Sequence, residues 1–187
     1  MKFCSQCGAL VHLCVPPGDN RPRYVCDACD TIHYQNPKIV AGCISEWQGR
    51  ILLCRRAIEP RYGLWTLPAG FMENNESAVT AALREALEEA NAVIENPILY
   101  GLYSLTHASQ VYLMFRGQLQ EGIARSGEES LEVRLFAEDE IPWDELAFTV
   151  VQETLSQYFA DRKKGVFNLH VGDIIRESDH QFRIHHY

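Results

Sequence analysis

Glu76, Glu85, Glu88 and Glu89, with Arg84 among them, lie in the segment Gly70 to Ala92, GFMENNESAVTAALREALEEANA, at spacings that suit a divalent cation. On a helix Glu85, Glu88 and Glu89 stand three, one and four residues apart. Their carboxylates then fall within one sector of one turn and can converge on one or two cations. A glutamate-rich stretch also reads as a solvated helix face, but Gly70, Glu76 and Arg84 favour the metal. Gly70 permits a tight loop whose carbonyls can approach a cation, and the Arg84 fork can hold Glu76 and neighbouring carboxylates in place. Hard oxygen ligands select Mg2+ or Mn2+.

A second constellation is made of sulfur. Cys4-x-x-Cys7, eighteen residues, then Cys26-x-x-Cys29 has the spacing of two knuckles that close a tetrahedron around Zn2+. Two disulfides or a redox pair are the competing readings. Of the seven cysteines, Cys14, Cys43 and Cys54 remain; Cys43 and Cys54 sit in apolar runs and read as small buried hydrophobes.

These groups need elements to hold them. Residues 1 to about 34 read as short strands and turns around the zinc, with Pro16 to Asn20 as the loop between knuckles. Such a piece is too small to fold by packing alone, so metal binding must supply the missing stability. Asn36-Pro37 marks a boundary. Lys38–Trp47 and Arg50–Arg55 read as strands joined at Gln48-Gly49, and Trp65–Pro68 as a short strand before the glutamate helix. Asn74 or Asn75 can cap that helix, whose apolar residues Val79, Ala82, Leu83, Ala86 and Ala90 should pack on a sheet. Ile98–Leu105, Val111–Leu119 and Val133–Phe136 look like further strands. Phe148–Lys164 reads as a second helix with an apolar stripe of Val151, Leu155, Tyr158 and Phe159, ended by Gly165. Two helices and several strands suit a mixed sheet covered on both faces, an α/β/α sandwich. The tail after Gly165 carries His170, His180, His185 and His186 without tight ligand spacing; it reads as a strand-forming tail at a subunit or domain contact.

Composition sets outer limits. The 187 residues are 47% hydrophobic and 22% charged, ordinary for one globular core and a small appendage. No run approaches the length that crosses a membrane, and MKFCSQCGAL lacks the pattern of a signal segment, so a cytoplasmic protein is expected. A net charge of -8 argues against a general nucleic-acid coat. It does not argue against nucleotides, because an acidic metal site binds a diphosphate through the cation.

The spacing from Gly70 to Ala92 resembles the Nudix box: Gly, five residues, Glu, seven residues, Arg-Glu, an apolar residue, any residue, Glu-Glu, any residue, Gly, an apolar residue. Asn91 stands where the pattern has Gly, and Asn is the next most tolerant residue in a left-handed cap. The resemblance implies a Nudix α/β/α sandwich over residues 37–164, preceded by a zinc ribbon at 1–36 and followed by an extension at 165–187. It further implies that water attacks phosphorus in a nucleoside diphosphate linked to another group. On the matching positions Glu85, Glu88 and Glu89 are the metal ligands, with the Ala69 carbonyl a possible addition.

Nudix hydrolases often draw a further glutamate, as base or ligand, from a loop beyond the box. Glu128, Glu129 and Glu132 are available, with Glu129 first, Glu132 second, and a merely solvated loop as the bland alternative. Arg55, Arg56 and Arg61 precede the box and can hold phosphates or a terminal sugar, or equally be surface arginines. Trp65, Phe71, Tyr100 and Tyr103 can stack on a base, though aromatic residues in strands are more often core.

The cysteine pairs, the run Asn36 to Ser77 and EESLEVRLFAEDEIPWDELAF are similar to the ribbon-bearing proteins related to plant ADP-ribose and FAD pyrophosphatases. NADH pyrophosphatases also carry a ribbon, but their Ser-Gln-Pro-Trp-Pro-Phe-Pro motif is not found from Val93 to Val111. ADP-ribose or FAD is therefore the expected substrate, NADH or another dinucleotide the alternative, and a homodimer the expected assembly. A silent ligand sensor would lack the glutamates that are present here. A nucleic-acid-binding ribbon would need more than His12, Arg21, Arg23 and Tyr24 between its knuckles.

Overall fold

Gln48 and Gly49 both take positive φ, 46° and 76°, and turn β4 (Lys38–Trp47) into β5 (Arg50–Arg56). A two-residue turn with both centres left-handed matches the twist of antiparallel strands, and Trp47 pairs with Arg50 directly across it. In this computed structural model residues 1–178 and 181–187 are described. The chain divides into two compact units, Met1–Pro37 and Lys38–Tyr187.

The first unit holds β1 (His12–Cys14), β2 (Arg23–Val25) and β3 (Ile32–His33) in an antiparallel sheet. Its buried residues are Cys4, Pro16 and Cys26 alone. It has no apolar core to hold it together.

In the second unit β5 is followed by β6 (Trp65–Thr66), β7 (Ala69–Phe71), α1 (Ala78–Ala90), β8 (Ile94–Leu105), β9 (Gln110–Leu119), β10 (Ser130–Phe136), α2 (Thr149–Lys164), β11 (His170–Arg176) and β12 (Phe182–His186). The sheet runs β10-β5-β4-β9-β8-β11-β12, with β6 on β5 and β7 on β4. The β4–β9 and β8–β11 pairs are parallel and the others antiparallel. Alternation along the strands sorts the core into two layers. Ala41, Cys43, Leu52 and Cys54 face Ala81, Ala82, Ala86 and Ala90 of α1. Val40, Ile44, Ile51 and Leu53 face Val151, Leu155, Tyr158 and Phe159 of α2. The result is an α/β/α sandwich with a mixed sheet.

Several local details differ from the sequence reading. Ser77, not Asn74 or Asn75, caps α1: its Oγ accepts from the Thr80 N–H at 3.1 Å, while Asn75 sits in the left-handed region at φ 69°. Val79 is exposed and Leu83 half-buried, so the packed face of α1 shifts toward Ala81. Asn91 and Gly165 end the two helices in left-handed conformations, with φ 47° and 70°.

Residues 165–187 contribute β11 and β12 to the main sheet. His170 Nε2 lies 2.7 Å from the buried Asp161 carboxylate, which also accepts from the Tyr100 hydroxyl at 3.1 Å. His180 lies outside the described residues. No helix among the described residues is long and apolar enough to cross a membrane.

Candidate active site

The strand pair that begins the site is short. β7 lies on β4 with Gly70 opposite Ala41 and Phe71 opposite Val40. A Cβ at Gly70 would collide with the Glu85 carboxylate. Glycine is needed there because the backbone and an acidic side chain occupy neighbouring space.

Arg84 organises the carboxylates. Its Nε and Nη2 donate to the two oxygens of Glu76 at 3.1 and 2.9 Å, its Nη1 to Glu85 at 2.7 Å and Glu88 at 2.9 Å, and its Nη2 also to the Phe71 carbonyl at 3.1 Å. The hydrogen bond from Arg84 holds the Glu76 carboxyl below its ordinary pKa, and the three carboxylates raise that of Arg84. Burial pushes the Glu85 carboxyl up while Arg84 opposes it.

Glu89 is different. It is 7% exposed, its Oε2 is buried without a hydrogen-bond partner, and burial, with the Glu85 charge, pushes its carboxyl up to about 8. An orphaned buried carboxylate oxygen is costly unless something positive meets it.

One cavity of about 890 Å³ collects these groups. Glu85, Glu88, Glu89, Ala69, Gly70 and Arg84 line it, and so do Glu128 and Glu129. Glu132 does not. A bulge between Ser130 and Glu132 shifts β10 against β5, and Glu132 ends 4.0 Å from Arg55. Of the two glutamates singled out in the sequence, Glu129 therefore lines the cavity and Glu132 lies outside it. The box carboxylates share the cavity without forming a single tight cluster. Among the described residues, the cysteines are the one set of three or more metal-ligating side chains whose ligand atoms all lie within 4.8 Å of one another.

The three arginines separate. Arg56 lines the cavity; its guanidinium carbon stands 5.1 Å from the centre of the Phe148 ring, and its Nε donates to the Pro60 carbonyl at 2.9 Å. Its charge draws the carboxyl of Glu89 and the hydroxyl of Tyr112 downward, against burial. Arg56 therefore acts on both the acidic end and the far wall.

Arg55 does not line this cavity; it donates to the Gly63 carbonyl at 2.9 Å. Arg61 lines a separate pocket of about 420 Å³ beside Thr149, Gln152 and Phe182. Of the four aromatic candidates, Trp65, Tyr100 and Tyr103 are core residues and Phe71 alone lines the cavity. The sequence reading missed the opposite wall, made by Gln110 and Tyr112 of β9, His107 and Ala108 of the preceding turn, and Phe148. No local motif marks them, because the pairing of β4 with β9 brings them there.

The cysteine cluster is a separate site. Cys4 and Cys29 Sγ are 3.6 Å apart, and Cys7 and Cys26 Sγ 3.5 Å, close to the ~3.8 Å edge of a tetrahedron with Zn–S bonds of about 2.3 Å. All seven cysteines are free thiols. His33 Nε2 lies 3.3 Å from Cys4 Sγ and Thr31 Oγ1 3.1 Å from Cys29 Sγ, polar neighbours that suit thiolates holding a metal.

Comparison with known proteins points the same way. Residues 36–158 match the NUDIX domain, and residues 2–35 match the Nudix N-terminal zinc ribbon. The crystal structure of a NUDIX hydrolase from Nitrosomonas europaea superposes with a TM-score of 0.87 at 56% identity, over 92% of this chain and 99% of that one. The NAD-capped RNA hydrolase NudC of Vibrio vulnificus is 27% identical over 86% of this chain and 62% of its own length. The ADP-ribose pyrophosphatase of Methanocaldococcus jannaschii is 29% identical over 62% of this chain and 69% of its own. The chain spans about three fifths of the length of the first curated relatives it matches.

Proposed function

The chain belongs to the Nudix family, and from that premise we propose that it is a divalent-metal-dependent pyrophosphatase acting on a nucleoside diphosphate linked to another group, ADP-ribose or FAD first. The observation that carries this reading is the single cavity in which Glu85, Glu88, Glu89 and Glu129 face Arg56 and an aromatic wall. The unpartnered Oε2 of Glu89 and an all-oxygen donor set fit Mg2+ or Mn2+. Glu85, Glu88 and Glu89 would hold the ions, with the Ala69 carbonyl as a further candidate. Bound there, the metal would neutralise phosphate charge and lower the pKa of the attacking water.

The chain's own groups do the rest. Arg84 keeps Glu85 and Glu88 from swinging away and offsets part of their mutual repulsion. Glu129 accepts the proton of the water as it attacks phosphorus. The bridging P–O bond breaks, and two phosphomonoesters leave. Arg56 pairs with a phosphate oxygen away from the acidic end. Phe71, Tyr112 and Phe148 offer flat faces to a base, while Gln110 and His107 offer polar edges. ADP-ribose and FAD share an adenosine diphosphate half, so one such cavity serves both. Cys4, Cys7, Cys26 and Cys29 would hold Zn2+, which would supply the folding stability that the first unit lacks.

Purified protein with Mg2+ should be offered ADP-ribose, FAD, NADH, nucleoside triphosphates and NAD-capped RNA. Release of AMP from ADP-ribose or FAD at the highest kcat/KM, abolished by Glu89→Gln, is the expected result. A tenfold preference for NADH or capped RNA would reassign the substrate, and hydrolysis of none would remove the enzyme reading.

A further inference from the structure

Asn91 closes α1 in the left-handed conformation that glycine usually takes, but it brings a side chain. That side chain reaches the loop between β9 and β10. Its Nδ2 donates to the carbonyls of Arg125 at 3.1 Å and Ser126 at 3.4 Å. Two backbone bonds run alongside: Arg125 N–H to the Ala90 carbonyl at 2.7 Å, and Gly127 N–H to the Glu89 carbonyl at 2.9 Å. Carbonyls in the last turn of a helix have no partner within it, and Arg125 and Gly127 take up two of them.

Gly127 is pressed so close that a Cβ would collide with the Glu88 carbonyl oxygen. Two residues on, the Glu129 carbonyl accepts from the Ala57 N–H at 2.8 Å, just past β5. The segment that carries Glu128 and Glu129 is therefore pinned at both ends. One anchor is the helix whose side chains are Glu85, Glu88 and Glu89.

We propose that Asn91 is a positioning residue for the reaction. Its carboxamide fixes the 125–129 loop against α1, so that Glu129 and the box carboxylates are held as one body. This rests on the reading of Glu129 as the base. Glycine at this position would keep the backbone conformation and lose both donors, leaving the two backbone bonds to hold the loop. Aspartate would keep the left-handed tolerance and replace the donor with a charge facing two carbonyls.

The test is a double-mutant cycle on kcat and KM with ADP-ribose, joined to amide exchange. Asn91→Gly should lower kcat about 3- to 10-fold with KM within about twofold, as expected for a misplaced reacting group. Asn91→Asp should lower it at least as far, and exchange at the Gly127 amide should quicken in both. In a Glu129→Gln background, Asn91→Gly should produce no further loss of kcat.

Equal losses in both backgrounds, or an unchanged kcat with only a lowered Tm, would overturn the proposal and leave Asn91 a plain helix cap. A Glu129→Gln protein with full kcat would instead overturn the assignment of the base, and the proposal with it. Gly127→Ala supplies a second probe. It should displace the same loop and lower kcat by more than Asn91→Gly, again without added effect in the Glu129→Gln background.

Discussion

Gly70 lies against the carboxylate of Glu85, with no space between them for even a methyl group. The contact joins the two halves of the box, one on a strand and one on a helix, in a way that their distance in sequence conceals. It also explains why the strand end must be bare: Glu85 is 9% exposed and already held by Arg84 at 2.7 Å, so it has little freedom to yield.

Gly70→Ala should therefore push Glu85 out of place and weaken metal binding, with kcat/KM falling on the order of 10- to 100-fold. The Tm should fall as well, because a methyl group there displaces a side chain with little freedom to yield. Steady-state kinetics and Mn2+ titration of the purified variant check this. A wild-type Mn2+ affinity would show that Glu85 moves aside without consequence.

The raised pKa of Glu89, at about 8, gives the metal-free protein a distinctive pH dependence. In the unfolded chain the carboxyl titrates near 4.3. Stability from the protonated group is complete below that value and is lost as pH rises through the folded value of about 8. Glu85, also raised by burial, adds in the same direction. The Tm of the metal-free protein should thus carry a downward contribution between about pH 5 and pH 8 that Glu89→Gln lacks. Mn2+ should remove most of it by binding the ionised form. Melts of both proteins with and without Mn2+ decide the matter; identical pH profiles without metal would contradict it.

Arg55 and Arg56 are neighbours in sequence with opposite surroundings, one turned to Gly63 and Glu132 and the other to the cavity. Arg56→Ala should raise KM for the diphosphate substrate about tenfold or more, and Arg55→Ala should leave it within about twofold. Inhibition by the AMP product should weaken in parallel for Arg56→Ala alone. Equal effects of the two substitutions would argue against a phosphate contact by Arg56.

The first unit should depend on its metal. With Cys4, Pro16 and Cys26 its only buried residues, removal of zinc by a chelator should unfold residues 1–37 while the second unit keeps its structure. Metal analysis should find about one zinc per chain, lost in Cys26→Ser. Amide exchange across both units reports the outcome, and a ribbon protected equally with and without zinc would refute it.

Much of the site was legible because its chemistry is local. The spacing of Glu85, Glu88 and Glu89 follows the helical period, Asn91 and Gly165 are recognisable ends, and Gln48-Gly49 is a turn that two residues suffice to specify. What sequence left open was decided at long range. Glu129 lines the cavity and Glu132, beyond the bulge in β10, does not, and the strand pairs β4–β9 and β8–β9 put Tyr112 and Gln110 on its wall. Local propensity also misjudged the start of α1. Asn74 and Asn75 are good caps by type, but the helix begins only after Ser77, whose hydroxyl reaches the Thr80 N–H.

The parallel pairing of β11 with β8, from His170 beside Gly101 to Asp173 beside Ser104, has a consequence for biogenesis. During synthesis β8 is made well before the strand that covers its outer edge, with β9, β10 and α2 emerging in between. Until β11 arrives, the nascent chain presents an open row of amides and carbonyls along β8, the kind of edge that recruits strands from other chains. Premature termination after α2 should therefore be felt as aggregation of newly made protein rather than as a defect in the glutamate cluster.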